Sequence, residues 1–238
     1  MLSSVLDNHI LRALPEATLI HWLKNGDIQQ LHAGQILSAP QEKLIRVHFP
    51  LTAILVWTNL LKDGATTAIA MVGREGAAGQ HNMLGFSNHL AVQCAGQSLS
   101  LPAALVKETL HKHPVAHALY ADFMRAFATQ VSQTAVCNRH HNLEQQLIRL
   151  LLFTLDRSTS PTLRMTQEQM ASMLGSRREG VTAAASLLQQ QGLIGYTRGR
   201  ITITNRPALE RRACECCRLV SSAYAPLQTQ PLHAQHQT

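Results

Sequence analysis

No apolar run in the chain approaches the roughly 18 residues that a membrane span needs. LTAILVW at 51–57 is strand-sized, and LIRLLLFTL at 147–155 is interrupted by Arg149. The opening segment MLSSVLDNHILRALPE carries charge at Asp7 and Arg12 and lacks the long apolar centre of a secretory signal. A cytoplasmic protein with no membrane partner is therefore expected. Aromatic residues make up only 4% of the 238 positions and charged residues 15%, yet hydrophobic residues reach 45%. That balance excludes general disorder and suffices for two modest cores.

Catalytic signatures are missing as well. The thirteen histidines include no H-E-x-x-H, and there is no G-x-S-x-G and no protein-kinase set. GREGAAG at 73–79 is neither a dinucleotide fingerprint nor a P-loop, and it reads as a turn whose glycines need positive φ. A protein that is not an enzyme is expected. The five cysteines are odd in number, which argues against a disulfide framework. Cys214, Cys216 and Cys217 in ACECC, with Cys137, His140 and His141 in CNRHH, lack the C-x-x-C pairing of a structural zinc site. They read as small, half-buried cysteines and polar helix positions, with zinc or thiol sensing as the other reading, and no metal ligand is assigned on spacing.

What is present is positive charge, unevenly placed. The formal net charge is +7 and the pI is near 9.5. Residues 161–220 hold nine arginines against four glutamates, a local net of +5. Arginine is the cation best suited to phosphate oxygens and guanine edges, so an anionic partner is expected.

Residues 3–25 show helical spacing interrupted at Pro15, with Gly26 as the stop. From about 28 to 106, short apolar runs alternate with turns such as KDG at 62–64, the pattern of an antiparallel barrel or sandwich. The segment 115–157 contains neither Pro nor Gly and carries an apolar stripe that includes Leu119, Phe123, Phe127, Val131, Leu143 and Leu147. It reads as one long spine or dimer interface, or else as two packed helices broken near Asn138. RSTSPT at 157–162 is a linker, and the tail from 222 to 238 reads as disordered.

Between linker and tail, Thr166 and Gln169 form a capping box that begins a helix with Met170, Met173 and Leu174 on its apolar side, and Gly175 ends it. Ser176 and Glu179 read as a second capping box, followed by Val181, Ala185 and Leu188 at i, i+4 and i+7. GLIGYT, RG and RITIT then form a hairpin. The pattern is a helix-turn-helix followed by a wing. Such a second helix enters the major groove with its first residues at the base edges, and a bidentate arginine there supplies roughly 1–3 kcal/mol of base discrimination. The expected DNA contacts are Ser176, Arg177, Arg178, Glu179 and Thr182, with Arg198 and Arg200 of the wing on phosphate. Thr166 and Gln167 open the first helix, where a phosphate fits.

These residues resemble the Crp/Fnr superfamily of bacterial transcription regulators over nearly the whole chain. SRREGVTAAASLLQQQGLI is similar to the family's recognition helix, whose Arg-Glu pair falls on Arg178 and Glu179, and NRHHNLEQQLIRLLL is similar to the end of its dimer helix. The resemblance implies an α+β fold. A cyclic-nucleotide-binding-like antiparallel β-barrel (jelly roll) would span 1–114, a long dimerisation helix and linker 115–157, and a winged helix-turn-helix 158–221.

Three departures stand out. Thr182-Ala183 occupies the place of the family's second base-reading arginine, so the operator is expected to differ. GREGAAGQ at 73–80 and SNHLAVQC at 87–94 replace the phosphate cassette, and no arginine lies between Arg74 and Arg125. The first cysteine is Cys94. The resemblance therefore implies neither cAMP nor an iron–sulfur cluster, and the effector is left unknown. The function expected is that of a homodimeric regulator reading an inverted repeat in double-stranded DNA, with RNA polymerase and a small-molecule effector as further partners. The other reading is a metal- or redox-sensing protein whose basic domain meets RNA or a protein.

Overall fold

The computed structural model describes residues 2–39, 45–79, 88–158 and 160–228. Three short helices open the chain: α1 (Leu2–Val5), α2 (His9–Ala13) and α3 (Glu16–Asn25). Buried Asn8 caps α2, its Oδ1 accepting from the Ile10 and Leu11 N–H groups, while its Nδ2 donates to the Pro50 and Gly76 carbonyls at 3.0 and 2.8 Å. Gly26 stops α3 for a steric reason, because a Cβ there would meet Leu101 at 2.4 Å.

Two antiparallel sheets follow. In the first, β1 (Asp27–Leu31) and β3 (Arg46–Pro50) flank β7 (Gly96–Pro102). In the second, the order is β2 (Ile36–Ser38), β6 (His89–Cys94), β4 (Ile54–Leu60) and β5 (Thr66–Val72). The KDG turn joins β4 to β5 with Gly64 at φ +85°. Phe49, Leu99 and Leu101 from one sheet and Leu55, Val72 and Val92 from the other share one core. Trp22 packs on Phe49 with ring centroids 5.1 Å apart and donates its indole N–H to Thr109 at 2.9 Å.

His48 on β3 is buried in this sandwich, and burial, aided by Arg46, pushes its pKa down to about 4. Burial and the charges of Arg12 and Arg74 likewise push His9 to about 4. The unfolded chain takes up these protons near the ordinary value of 6.5, which the folded chain resists. Their stabilisation is thus complete above pH 6.5 and is lost as pH falls toward 4. For His48 the loss is on the order of 3 kcal/mol, at about 1.4 kcal/mol per unit. Thermal melts at pH 7 and pH 4.5 should show it, with a shallower decline in His48→Gln; an unchanged decline would remove His48 from the account.

After α4 (Ala103–Lys112) come α5 (Pro114–His140) and α6 (Leu143–Arg157). The single long helix over 115–157 is not what forms; the two-helix reading holds, with the break at His141–Asn142. Asn142 and Gln145 make a reciprocal capping box, at 2.9 and 3.2 Å, which starts a new helix instead of extending the old one.

The C-terminal part contains β8 (Thr162–Arg164), α7 (Gln167–Leu174), α8 (Arg178–Gln190), β9 (Ile194–Thr197), β10 (Arg200–Ile203), α9 (Arg206–Arg212) and α10 (Glu215–Gln228). The tail expected to be disordered from 222 is helical through Gln228, since Tyr224 and Leu227 are buried; residues 229–238 lie outside the described ones. Helix α10 returns onto α5, where the Tyr224 ring lies 6.4 Å from that of Phe123.

This return corrects the expected dimer stripe. Leu119, Phe123, Phe127 and Leu147 are buried within the chain, Phe127 against Trp57 at 5.0 Å, and only Val131 and Leu143 stay half-exposed.

Candidate nucleic-acid interface

The first helix of the pair is capped as its sequence implies. The Thr166 hydroxyl accepts from the Gln169 N–H at 3.1 Å, and the Gln169 carboxamide accepts from the Thr166 N–H at 2.8 Å. Gly175 ends α7 in the left-handed region at φ +60°, and the Ser176 N–H returns to the Ala171 carbonyl at 3.0 Å. No second capping box forms. Ser176 stays outside α8, Arg177 is its N-cap without a side-chain hydrogen bond, and Arg178 and Glu179 are its first two residues. Val181, Ala185 and Leu188 are the buried stripe of α8.

Arg177, Arg178 and Glu179 are exposed, and among the described residues neither arginine makes an ion pair. A helix N-terminus carries partial positive charge, so a cation there costs about 0.3–1 kcal/mol. Two unpaired arginines at that end do not serve the stability of the isolated fold; an external anion would relieve them.

Thr182 is placed differently from expectation. Its hydroxyl lies 2.8 Å from the Gln167 carboxamide oxygen and 2.9 Å from the Arg178 carbonyl, so it ties α8 to α7. The contact engages only the carboxamide oxygen of Gln167. This contact joins the first turns of both helices, and the wing adjoins them. The Met165 N–H donates to the Gly199 carbonyl at 2.9 Å, and a Cβ on Gly199 would lie 3.5 Å from Thr166.

The wing turn is Arg198-Gly199, both at positive φ (+45° and +77°), the geometry of a two-residue hairpin. Arg198 and Arg200 are exposed. Arg200 on β10 stands directly opposite Arg164 on β8. Like charges in that position are destabilising unless an anion lies between them. Arg164 was missed in the sequence because its neighbour is set by sheet register; an arginine in a short run just before a capping box was the only signal. Other arginines are committed elsewhere. Arg206 pairs with Asp156 and Glu210, each at 2.6 Å, and Arg212 with Glu144 at 2.6 Å, which fastens α9 to α6.

The domain also touches the sandwich. The Thr66 and Ser172 hydroxyls are hydrogen-bonded, and a Cβ on Gly175 would meet the Thr67 hydroxyl at 2.5 Å.

At the expected cassette, Glu75 is buried and forms an ion pair with Arg157 of α6 at 2.6 Å, while accepting from the Gly73 N–H. Only Gly79 in this turn has positive φ, at +111°. Gly73 and Gly76 are required by close approach instead, since a Cβ would meet Arg157 at 2.7 Å or Phe123 at 2.0 Å. Gln80, Gly85 and Ser87 lie outside the described residues.

The cysteines and histidine to which spacing assigned no metal come together in the fold. Cys137, His141, Cys214 and Cys216 converge, their ligand atoms all within 4.8 Å of one another. Cys217 is buried nearby, and His140 is exposed.

A three-stranded wing behind a tight helix pair, joined through two helices to an antiparallel sandwich, defines a winged helix-turn-helix protein with an appended β-sandwich domain. Residues 145–212 match the family model of the Crp-like helix-turn-helix domain. The whole fold is similar to that of a Crp/Fnr-family transcriptional regulator from Eubacterium rectale, with a TM-score of 0.65 and 19% identity over 84% of this chain and 94% of that one. It is similar to FixK2 from Bradyrhizobium japonicum, at 0.63 and 14% over 79% and 98% of the two chains. A CRP-family regulator from Thermus thermophilus gives 0.61 and 21% over 78% and 96%. No curated protein sequence matches the chain. The chain carries a Crp-like helix-turn-helix domain within the Crp/Fnr fold. Among the described residues no helix is long and apolar enough to cross a membrane.

Proposed function

We propose that the protein is a homodimeric, sequence-specific DNA-binding transcription regulator that uses no catalysis. The observation that carries the reading is the set of exposed arginines that make no ion pair among the described residues: Arg177 and Arg178 at the start of α8, and Arg164, Arg198 and Arg200 on the wing. Arg178 and Glu179 read base edges in the major groove, Arg177 and the wing arginines hold phosphate, and Ser176 and Thr166 line the approach. Thr182 and Gln167 act by fixing α8 to α7.

The dimer forms along the face of α5 that α10 leaves open, and there Ala121, Met124, Ala128, Val131 and Ala135 recur at threes and fours. This spacing is a coiled-coil seam, and its small residues permit close approach. Two-fold symmetry then sets an inverted-repeat operator with half-sites one helical turn apart.

Glu75 is committed to Arg157, and no arginine follows Arg74 before Arg125, so the barrel does not take cAMP. A small-molecule effector has room in the cleft of about 540 Å³ beside Arg12 and Arg74, where Arg157 and Arg206 are already paired with Glu75, Asp156 and Glu210. It would act by favouring one setting of the domain that docks on β5. The protein works where the chromosome is, with RNA polymerase as its further partner.

Sedimentation and a salt titration of duplex binding test this reading. The wild type should sediment as a dimer and bind with an affinity that falls steeply with salt. Ala128→Glu should be monomeric, folded by circular dichroism, and at least tenfold weaker. A dimeric Ala128→Glu would displace the interface from α5.

A further inference from the structure

The cluster at the α5–α6 hinge has a geometry that hydrophobic packing does not require. The Cys137 and Cys214 sulfurs are 3.7 Å apart, and the Cys216 sulfur lies 3.6 Å from His141 Nδ1. A tetrahedral zinc, with Zn–S of about 2.3 Å and Zn–N of about 2.0–2.1 Å, has S···S edges of about 3.8 Å and S···N edges of about 3.6 Å. Both of these edges fit that tetrahedron. The sulfurs are too far apart for a disulfide, which needs about 2.05 Å.

We infer that Cys137, His141, Cys214 and Cys216 form a structural zinc site.

Local structure explains why these four meet. Cys137 and His141 are four residues apart at the end of α5, so they share a face of its last turn. Cys214 and Cys216 flank the start of α10. Two chain segments, 77 residues apart at Cys137 and Cys214, thus contribute two ligands each. All three cysteines are buried and His141 is half-buried, which closes the fourth position to substrate and makes the site structural.

Two surrounding observations support the ligand set. The other ring nitrogen of His141 faces the Glu215 carboxylate at 3.4 Å, the carboxylate–histidine arrangement that orients a metal-bound imidazole. Arg149 is buried, held by Thr134 at 3.0 Å and lying over Phe153, and it makes no ion pair with a carboxylate among the described residues. Zinc with three thiolates and a neutral imidazole carries a net charge of −1, the counter-charge this guanidinium lacks. Binding releases the three thiol protons to solvent, so affinity rises with pH. The zinc ties the start of α10, just after the winged domain, to the end of the dimer helix. This inference is independent of DNA binding.

Metal analysis of the purified full-length protein tests it, together with cobalt substitution. One zinc per chain is expected, and cobalt should give the thiolate charge-transfer absorption and strong visible bands of a tetrahedral sulfur site. Cys137→Ser, Cys214→Ser, Cys216→Ser and His141→Ala should each weaken zinc at least 100-fold in chelator competition, and Glu215→Gln about tenfold. Cys94→Ser and Cys217→Ser should leave it unchanged. The cobalt spectrum of the wild type keeps the proposal testable if a ligand variant fails to fold. The assignment is overturned if wild-type protein binds neither added zinc nor cobalt. It is also overturned if Cys137 and Cys214 are joined by a disulfide, if iron or copper fills the site, or if Cys217→Ser loses metal while Cys216→Ser keeps it.

Discussion

Arg178→Ala is expected to lose specific DNA binding by about 1–3 kcal/mol, roughly 5- to 150-fold, while weak salt-sensitive binding survives. The side chain starts α8, is exposed, and makes no ion pair among the described residues, so its removal strands no buried partner there. It also removes a cation from the positive end of a helix, so the variant should melt no lower than wild type. Stability and affinity thus move independently. Arg177→Ala and Arg200→Ala should instead weaken binding to all sequences alike and reduce the salt slope by about one ion each. Anisotropy titrations on a selected duplex and on a scrambled one separate the two behaviours. If Arg178→Ala retained its preference for the selected duplex, the base-reading role would belong to another residue.

The largest stability effect should come from Glu75→Ala. The change leaves the Arg157 guanidinium buried without its carboxylate, which costs about 3–5 kcal/mol. Arg157 is otherwise held by the Gln130 carboxamide at 2.9 Å and the Phe153 carbonyl at 3.1 Å, with the Phe153 and Tyr224 rings 5.3 and 5.4 Å away. One side chain therefore joins the sandwich turn to α5, α6 and α10. The midpoint of thermal unfolding should fall on the order of 10 °C. Glu75→Ala with Arg157→Met should recover most of the loss, because it removes the stranded charge and fills the space. No recovery would mean that the pair is needed for more than mutual neutralisation.

What could be read from the sequence was local. Thr166 and Gln169, Gly175, the stripe Val181–Ala185–Leu188 and the Arg198-Gly199 hairpin are specified within a few residues, and all form as expected. The second capping box did not form because Ser176 is held outside the helix by its backbone bond to Ala171. The apolar stripe of α5 was correctly seen, but its occupant was not. Periodicity shows that a face must be covered, yet cannot say whether a second chain or this chain's own α10 and sandwich cover it. Tyr224 and Leu227, in a tail that reads as polar, and Trp57 of β4 are among the residues that cover it. The Cys–His group was visible in the sequence but was given no metal, because its halves, C-x-x-x-H and C-x-C, are unremarkable until tertiary structure joins them. Arg164 became a candidate contact only through sheet register with Arg200.

The central claim is that the arginines of α8 and the wing read double-stranded DNA as a dimer. Selection of bound sequences from a random duplex pool, with the full-length protein at physiological salt, tests it most directly. The expected result is an enriched inverted repeat with half-site centres about 10 bp apart, a repeat that Arg178→Ala fails to enrich. Retention of the pool with no enriched motif, in protein shown to be folded and dimeric, would contradict the claim and turn the basic surface toward RNA or a protein partner.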